Sequence, residues 1–259
     1  MNATVLIVAK APVPGLAKTR LTPPATPRQA ARIAAASLLD TLDAASGTGG
    51  RVVVALTGRL ADAELANLEL AAELRTALSH ATMLGQHGAT LADRLANAHA
   101  DAAVFARLTA TAGPAAFFAR LTAAARPADV LARLAAAARP AAVLQVGMDT
   151  PQLTAALLAE AAGRLSTVDA VLGPATDGGW WALGLNRPAA ADVLRAVPMS
   201  RPDTGDRTLD ALRRNGLTVG LLPELSDVDT MADAVRVAAQ APGTRFRDAV
   251  QAVQGVVIL

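Results

Sequence analysis

The chain contains no cysteine, so disulfide bonds, thiolate nucleophiles and cysteine-ligated zinc are all excluded. Tyrosine is also absent and aromatic residues make up only 2% of the chain, whereas 53% is hydrophobic, so we expect an aliphatic core. The opening NATVLIVAKAPVPG lacks the basic region and the long apolar run of a secretion signal. No stretch approaches the roughly 20 apolar residues of a membrane helix. These absences predict a cytoplasmic protein that does not enter a membrane.

Charge is nearly balanced, with 24 lysines and arginines against 22 acidic residues and a net charge of +2. Such a chain has no overall field that would attract nucleic acid or an anionic membrane, so neither is an expected partner. A basic site must therefore be local. The only two lysines, Lys10 and Lys18, lie in one loop, which marks that loop as the first candidate site.

Alternating strand and helix patterns predict an α/β fold. Thr4 to Ala9 is a short β-branched run typical of a buried parallel strand, and Thr26 followed by Pro27 is the start signal of a helix reaching about Ala45. Further strands are predicted at 52–56, near 81–84, and at 143–147, 170–172, 181–185 and 219–222, and further helices over 62–70 and from 90 onward. We expect a mostly parallel central sheet with helices on both faces.

Residues 105–143 contain three near-copies of a 13-residue unit: FARLTATAGPAAF, FARLTAAARPADV and LARLAAAARPAAV. Each copy predicts a short alanine-rich helix ended by a proline. We interpret two copies as a helical insert at about 105–130 within one domain that spans 1–259. The insert is either a plain surface excursion or a lid or self-association arm, so the sequence leaves a homodimer open. The sequence does not reveal whether the apolar tail GVVIL, residues 255–259, packs as an edge strand or meets a neighbour.

The loop after the first predicted strand, AKAPVPGLAKTRL, has the composition of a phosphate-binding loop. Its predicted nucleotide-binding residues are Ala9, Lys10, Pro12, Gly15, Lys18 and Arg20. Cationic side chains and exposed backbone N–H groups are what a phosphate chain requires. The loop matches neither the Walker A spacing nor G-x-G-x-x-G, and a solvated basic turn is the alternative. We expect Lys18 to face solvent.

Asp149 is the first candidate metal ligand. In VLQVGMDTP a buried strand ends at Gly147 and presents Asp149 at its carboxyl end, where ligands of such sheets bind. A carboxylate there can hold Mg²⁺ (or Mn²⁺) that bridges phosphate oxygens. The alternative is that Asp149, or Thr150, caps a helix that begins after Pro151.

Four sequence blocks together resemble one family: AKAPVPGLAKTRL, VLQVGMDTPQL, VLGPATDGGWWALGL and LSDVDTMADAV. The family is DUF2064, also called rSAM/selenodomain-associated transferase 1, of the nucleotide-diphospho-sugar transferase (GT-A) superfamily. It is related to the 2-phospholactate and molybdenum cofactor guanylyltransferases. The resemblance covers nearly all of the chain outside the repeats, and it implies a Rossmann-like GT-A fold.

The resemblance also implies site residues. A late aspartate completes the metal site of related enzymes, and Asp229 matches it, with Asp227 as a close competitor. In the DGG turn, Asp177, Gly178, Gly179 and Trp180 are expected on the acceptor side, although the family usually has tyrosines where this chain has two tryptophans. A plain hairpin turn is the alternative.

Two smaller predictions concern the neighbouring block GQHGATLADRL and the histidines. The resemblance implies that Gln86 and Arg94 lie near the nucleotide base. His80, His87 and His99 have no metal-ligand spacing and are expected to be surface or capping residues.

Three functions remain open. The first is metal-dependent nucleotidyl transfer from a nucleoside triphosphate to a small phosphorylated or acidic acceptor, with Lys18, Arg20, Asp149 and Asp177 as catalytic residues. The second is glycosyl transfer from a nucleotide-diphospho-sugar, and the third is nucleotide binding without turnover. The expected partners are thus a nucleotide or nucleotide-sugar and a small-molecule acceptor. The basic loop favours the first function, because several cations suit a triphosphate best.

Overall fold

The opening apolar run forms the central strand of the sheet. In a computed structural model that describes residues 3–65, 69–110 and 142–257, strand β1 (Ala3–Lys10) pairs in parallel with β2 (Arg51–Thr57) on one side. On its other side it pairs in parallel with β4 (Ala142–Gly147). Both faces of β1 are buried, which explains why its sequence is continuously apolar rather than alternating.

The strands of the described residues form one seven-stranded sheet in the order β3-β2-β1-β4-β6-β5-β7. The remaining strands are β3 (Thr82–Gly85), β5 (Ala170–Pro174), β6 (Trp180–Leu185) and β7 (Val219–Leu221). Among the described strands, only β6 runs antiparallel to its neighbours β4 and β5, and a short hairpin turn joins it to β5. The predicted mostly parallel α/β architecture is confirmed.

Helices cover both faces of the sheet. Helix α1 (Pro27–Ser46) begins with the predicted Thr26 cap, to which Gln29 adds a reciprocal capping box, and it packs on one face. Helix α4 (Leu91–Ala110) packs on the other. The other helices are α2 (Leu60–Leu65), α3 (Ala71–Ser79), α5 (Ala155–Arg164), α6 (Thr204–Arg214), α7 (Met231–Gln240) and α8 (Arg245–Val257), with 3-10 segments at Thr19–Leu21 and Pro188–Ala196.

One helix prediction needs correction. The single helix predicted over 62–70 is wrong at its end: residues 69–70 form a turn, and a separate helix, α3, begins at Ala71, with Leu74 and Leu78 facing the core. The tail does not form an edge strand as far as Val257, because α8 continues through these residues. The N-terminus of α8 is fixed by Asp40, whose carboxylate accepts hydrogen bonds from the backbone N–H groups of Arg245 and Phe246.

Most of the predicted repeat insert lies outside the described residues, apart from residues 105–110, which belong to α4. None of the described helices combines the length and the apolar character needed to cross a membrane.

His99 is not a surface residue, which corrects the sequence prediction. It lies on α4, is 0% exposed, and neither of its ring nitrogens has a hydrogen-bond partner among the described residues. Burial lowers the pKa of His99 to about 3. His80, at the end of α3, and His87, which pairs with Asp101, are exposed as predicted.

The buried imidazole predicts acid sensitivity of the fold. The folded chain keeps His99 neutral, whereas the unfolded chain protonates it below its usual pKa of about 6.5, so its contribution to stability is lost as the pH falls from 6.5 toward 3. Between pH 7 and pH 5 we expect His99→Leu to lose about 2 kcal/mol less unfolding free energy than the wild type. Urea denaturation at both pH values measures this. His80→Leu is the control and should keep the wild-type slope, and an unchanged slope in His99→Leu would contradict the assignment.

Candidate functional site

The basic loop turns back toward the sheet immediately after β1. The carbonyl oxygen of Val13 accepts hydrogen bonds from the N–H groups of Leu16 and Ala17, which closes the turn around Gly15 at φ +76°. Lys18 follows in the left-handed conformation at φ 50°, which is unusual for a residue with a Cβ. Such strained conformations concentrate at ligand sites, where the surrounding structure maintains them.

Lys18 joins three segments of the chain. Its ammonium group pairs with Asp149 Oδ1 at 2.8 Å and also donates a hydrogen bond to the carbonyl oxygen of Val228. The Lys18 side chain is only 9% exposed, so the expectation that it faces solvent is wrong. The Asp149 side chain is 42% exposed, so water partly screens the pair, but losing Asp149 would leave the mostly buried ammonium group of Lys18 without its counter-charge.

Asp149 is positioned by backbone contacts and does not cap a helix. The preceding Met148 donates its N–H to Val8 and accepts a hydrogen bond from the Ser37 hydroxyl, while the carbonyl oxygen of Asp149 accepts from Val228 N–H at 3.0 Å. Helix α5 is capped by Thr154 instead. Neither Asp149 nor Thr150 therefore caps the helix, and the Asp149 carboxylate is left to face Lys18.

Three carboxylates converge beside this pair. Asp177, Asp227 and Asp229 each offer an oxygen atom, and these atoms lie within 4.8 Å of one another. Asp229 also accepts a hydrogen bond from Arg20 Nη1 at 2.6 Å. Burial raises the pKa of Asp227 to about 6, and repulsion from Asp177 and Asp229 adds to this, so the three charges are crowded. An all-oxygen set of this kind suits Mg²⁺ or Mn²⁺.

The structure thus groups the predicted metal ligands differently from the sequence prediction, which assigned Asp149 and Asp229 to one metal site. Asp229 and its competitor Asp227 are in one cluster together with Asp177, which the sequence assigned to the acceptor side, whereas Asp149 pairs with Lys18. Sequence reasoning could not find Asp177 as a cluster member, because its distance from Asp229 depends on how the β5–β6 hairpin docks. That a metal binds to this cluster stays a prediction.

A cleft of about 390 Å³, the basic cleft, lies beside the opening loop. Its cationic lining residues are Lys10, Lys18, Arg20 and Arg94, and Ala9 and Gln86 also line it. The buried Nε atom of Arg94 has no hydrogen-bond partner in the described parts of the chain. A buried donor without an acceptor is costly, so Arg94 is suited to an anionic ligand.

Three of the residues predicted to bind the nucleotide, Pro12, Gly15 and Gln86, have a supporting structural role. Pro12 and Gly15 shape the loop but do not line the basic cleft, where Leu16 and Ala17 are found instead. The Gln86 amide nitrogen donates to the carbonyl oxygens of Ala9 and Ala55, so it holds the ends of β1 and β2 together.

A second cleft of about 520 Å³, the hairpin cleft, lies between the β5–β6 turn and the start of α6. It is lined by Asp177, Gly179 and Trp180 of the turn region, and by Gln145, Arg201 and Thr204, which were not predicted as site residues. Arg20, Asp149 and Asp229 line both clefts. The two clefts therefore meet at the charged junction.

The position of Gln145 in the sequence carries a signal of its own. Gln145 is the one polar residue inside the buried strand VLQVG, and such residues need a specific partner. Arg201 has no comparable local signal.

The DGG sequence is a hairpin turn whose glycines permit a close backbone approach. Gly178 has φ +85°, and a Cβ there would lie 1.8 Å from the carbonyl oxygen of Pro202. Gly205 N–H donates to the carbonyl oxygen of Gly178 at 2.8 Å, while Asp177 Oδ1 accepts from Gly179 N–H. The turn is thus docked on the start of α6, and this contact fixes Asp177 in the cluster. Gly178 itself does not line the hairpin cleft.

Residues 41–201 match the family described as an uncharacterized protein conserved in bacteria, DUF2064. The chain belongs to this family. The matched range includes Asp149 and Asp177 but neither the basic loop nor Asp229. No curated protein matches the chain.

Solved structures share the fold. A Desulfovibrio desulfuricans G20 protein, named as a proposed nucleotide-diphospho-sugar transferase, superposes with a TM-score of 0.70 at 22% identity and covers 98% of this chain and 94% of its own. Rv0371c of Mycobacterium tuberculosis H37Rv, in complex with manganese, gives a TM-score of 0.46 at 17% identity over 91% and 97%. An Anaerococcus prevotii 4-diphosphocytidyl-2C-methyl-D-erythritol synthase gives 0.46 at 11% identity over 92% and 98%. The similarity to the Desulfovibrio desulfuricans protein supports the α/β fold. The other two similarities are too distant to support a conclusion about this chain.

The Gly178 contact predicts a position-specific effect on stability. Gly178→Ala combines a left-handed backbone, costing about 1–2 kcal/mol, with a clash against Pro202 that we expect to cost about 1–3 kcal/mol more. Gly243→Ala is the matched control, because Gly243 has φ +75° and no described atom would lie within 4 Å of its Cβ. Chemical denaturation of both variants measures the difference. Equal losses would show that the docking of the turn contributes nothing.

Proposed function

We propose that this protein is a metal-dependent nucleotidyltransferase, which joins a nucleotide from a nucleoside triphosphate to a small phosphorylated or acidic acceptor. The observation that carries the proposal is the 2.8 Å contact between Lys18, which lines the basic cleft, and Asp149, which lines both the basic cleft and the hairpin cleft. A donor and an acceptor in adjoining clefts would meet beside this contact, which is the arrangement that a group transfer requires.

The basic cleft suits the phosphate chain of the donor. Four cationic side chains of the described residues line it, and the Nε of Arg94, which has no partner among those residues, offers a further hydrogen bond to an anion. Lys18 and Arg20 lie next to the junction, where charge would build on a departing pyrophosphate. Fixed cations at that position lower the barrier, because they need no reorganisation as the bond breaks.

The carboxylates of Asp177, Asp227 and Asp229 would hold a divalent cation, with Asp149 adjacent. Their crowded oxygen atoms are the donor set that Mg²⁺ or Mn²⁺ prefers, and a cation would offset their mutual repulsion. When bound, it would neutralise phosphate oxygens of the donor.

The proposed transfer needs no reactant besides the donor and the acceptor. An anionic oxygen of the acceptor forms a bond to the α-phosphorus of the donor, and the bond from that phosphorus to the β-bridging oxygen breaks. The bridging oxygen keeps the electron pair and leaves as pyrophosphate. An acceptor phosphate or carboxylate has no proton to remove, so no general base is required.

Glycosyl transfer from a nucleotide-diphospho-sugar is the second candidate. The Asp177 carboxylate lines the hairpin cleft, where it could accept a proton from an acceptor hydroxyl. The name of the Desulfovibrio desulfuricans protein points in the same direction. The four cations of the basic cleft suit a triphosphate better than a diphosphate, and for this reason nucleotidyl transfer ranks first.

The products distinguish the candidates. The purified protein is incubated with Mg²⁺ or Mn²⁺, each nucleoside triphosphate or each common nucleotide-sugar, and a panel of phosphorylated and carboxylated acceptors. Pyrophosphate release from a triphosphate is the expected result. Release of nucleoside diphosphate from nucleotide-sugars alone would support glycosyl transfer, and binding of nucleotide without any product would support a non-catalytic role.

Lys18→Met should weaken triphosphate binding at least tenfold, because the variant loses one charge-assisted hydrogen bond to phosphate. It should also lower the unfolding free energy, since Asp149 and the Val228 carbonyl lose their partner. Isothermal titration calorimetry and urea denaturation measure the two effects. Arg213→Gln, an exposed cation outside both clefts, is the control. Unchanged affinity in Lys18→Met would remove the basic loop from the donor site.

Asp229→Asn should reduce Mn²⁺ affinity at least tenfold, because one of the three converging carboxylates becomes neutral. Calorimetric titration of the nucleotide-free protein with MnCl₂ measures this without any dependence on activity. Asp210→Asn removes an exposed carboxylate outside the cluster and should bind Mn²⁺ as the wild type does. Equal affinities for all three proteins would rule out the cluster as the metal site.

A further inference from the structure

Gln145 is a buried polar side chain in the wall of the hairpin cleft. It lies in the middle of β4, is 2% exposed, and is flanked across the sheet by Leu6 and Leu183, which are fully buried. Its carbonyl oxygen Oε1 has no hydrogen-bond partner within the described ranges. An amide in such apolar surroundings costs stability unless a partner satisfies it.

Gln145 lies where a bound molecule could supply the missing hydrogen bond. On β4, alternate residues face opposite sides of the sheet, so Gln145 shares its side with Val143 and Gly147. Val143 packs in the layer between the sheet and α4, and Gly147 lines the hairpin cleft together with Gln145. The amide of Gln145, whose oxygen has no partner in the described ranges, therefore lies at the inner wall of a cleft that a small molecule can enter.

The two clefts differ in the partner that each lacks. Within the described part of the chain, the basic cleft has an unsatisfied donor, Arg94 Nε, which calls for an anion. In the hairpin cleft the unsatisfied atom is an acceptor, Gln145 Oε1, and Trp180 and Arg201 line the same space. Carboxylates of the junction also line it, and a divalent cation held there would offset their charge toward an anionic ligand. A molecule that fits the hairpin cleft should combine a hydroxyl group for the amide, carbon atoms for the indole and an anionic group for the guanidinium.

We propose that the acceptor is a hydroxylated acid, either a hydroxycarboxylate or a sugar or polyol phosphate, and that Gln145 recognises one of its hydroxyl groups. The proposal rests on the transferase function proposed above, since it assigns the hairpin cleft to the acceptor. A hydroxyl group fits because it both donates and accepts, so it satisfies the amide in either orientation of its nitrogen and oxygen. The anionic oxygen of the same molecule remains free to attack, and Gln145 determines specificity without taking part in the chemistry.

Matched ligand pairs test this recognition. Each pair has the same anionic group and carbon skeleton but differs in hydroxyl groups: D-glycerate and propionate, glycerol 3-phosphate and propyl phosphate, glucose 1-phosphate and cyclohexyl phosphate. Binding is measured by calorimetry with Mg²⁺ and a saturating non-hydrolysable nucleoside triphosphate. The wild type should bind the hydroxylated member of at least one pair about tenfold more tightly or better.

Gln145→Met removes the amide while keeping the length of the side chain. We expect it to lose the hydroxyl preference of the wild type and to retain the wild-type affinity for the triphosphate. Its melting temperature should stay the same or rise, because a buried unsatisfied group is replaced by an apolar one. Gln145→Leu serves the same purpose if the methionine variant does not fold. Asn186→Leu is the control: its buried amide oxygen also lacks a partner among the described residues, but it lines neither cleft, so the preference should persist.

Two results would overturn the proposal. One is a wild type that does not discriminate within any pair, and the other is a Gln145→Met variant that keeps the full preference. In both cases, triphosphate binding and pyrophosphate release would still stand as evidence for the transferase. Failure of the wild type to bind any nucleotide would instead reject the transferase function itself.

Discussion

The pairing of Lys18 with Asp149 is the contact on which the site depends. It joins the basic loop after β1 to the carboxyl end of β4, and the second hydrogen bond of Lys18, to Val228, adds the segment that carries Asp227 and Asp229. Because the Lys18 side chain is almost fully shielded from water, these contacts hold the three segments in one arrangement. Contacts within the chain itself therefore bring the three segments of the site together.

Charge is distributed around this contact in an order that suits transfer between two substrates. Cationic side chains line the basic cleft, carboxylates crowd the junction, and the hairpin cleft presents an amide, an indole and one arginine beyond it. An anionic donor, a cation and an acceptor would each find complementary surroundings. In open α/β sheets such sites form beyond the carboxyl ends of the strands, where the ends of β1 and β4 lie here.

Local patterns predicted the elements that carry these groups. The β-branched run at Thr4 to Ala9, and Thr26 followed by Pro27, identified β1 and the start of α1, because strand burial and helix capping depend on a few adjacent residues. The basic loop and Asp149 could be found because each follows a recognisable strand. The alternation of strands and helices along the chain also predicted that helices cover both faces of the sheet.

The parts that were missed depend on contacts between distant segments. The burial of Lys18 results from its contact with Asp149 and Val228, and Asp177 joins the acidic cluster because Gly178 docks on Pro202. His99 could have been recognised as buried, because it shares the inward spacing of Leu95 and Ala102 on α4. No pattern in the sequence reveals which side chains meet across such distances.

A crystal structure of the protein with an α,β-methylene nucleoside triphosphate and Mn²⁺ tests the central claim most directly. We expect the phosphates in the basic cleft within hydrogen-bond distance of Lys18, and an anomalous manganese peak between the phosphates and the carboxylates at the junction. A nucleotide bound elsewhere, with the contact between Lys18 and Asp149 unchanged and no metal beside Asp229, would contradict the account.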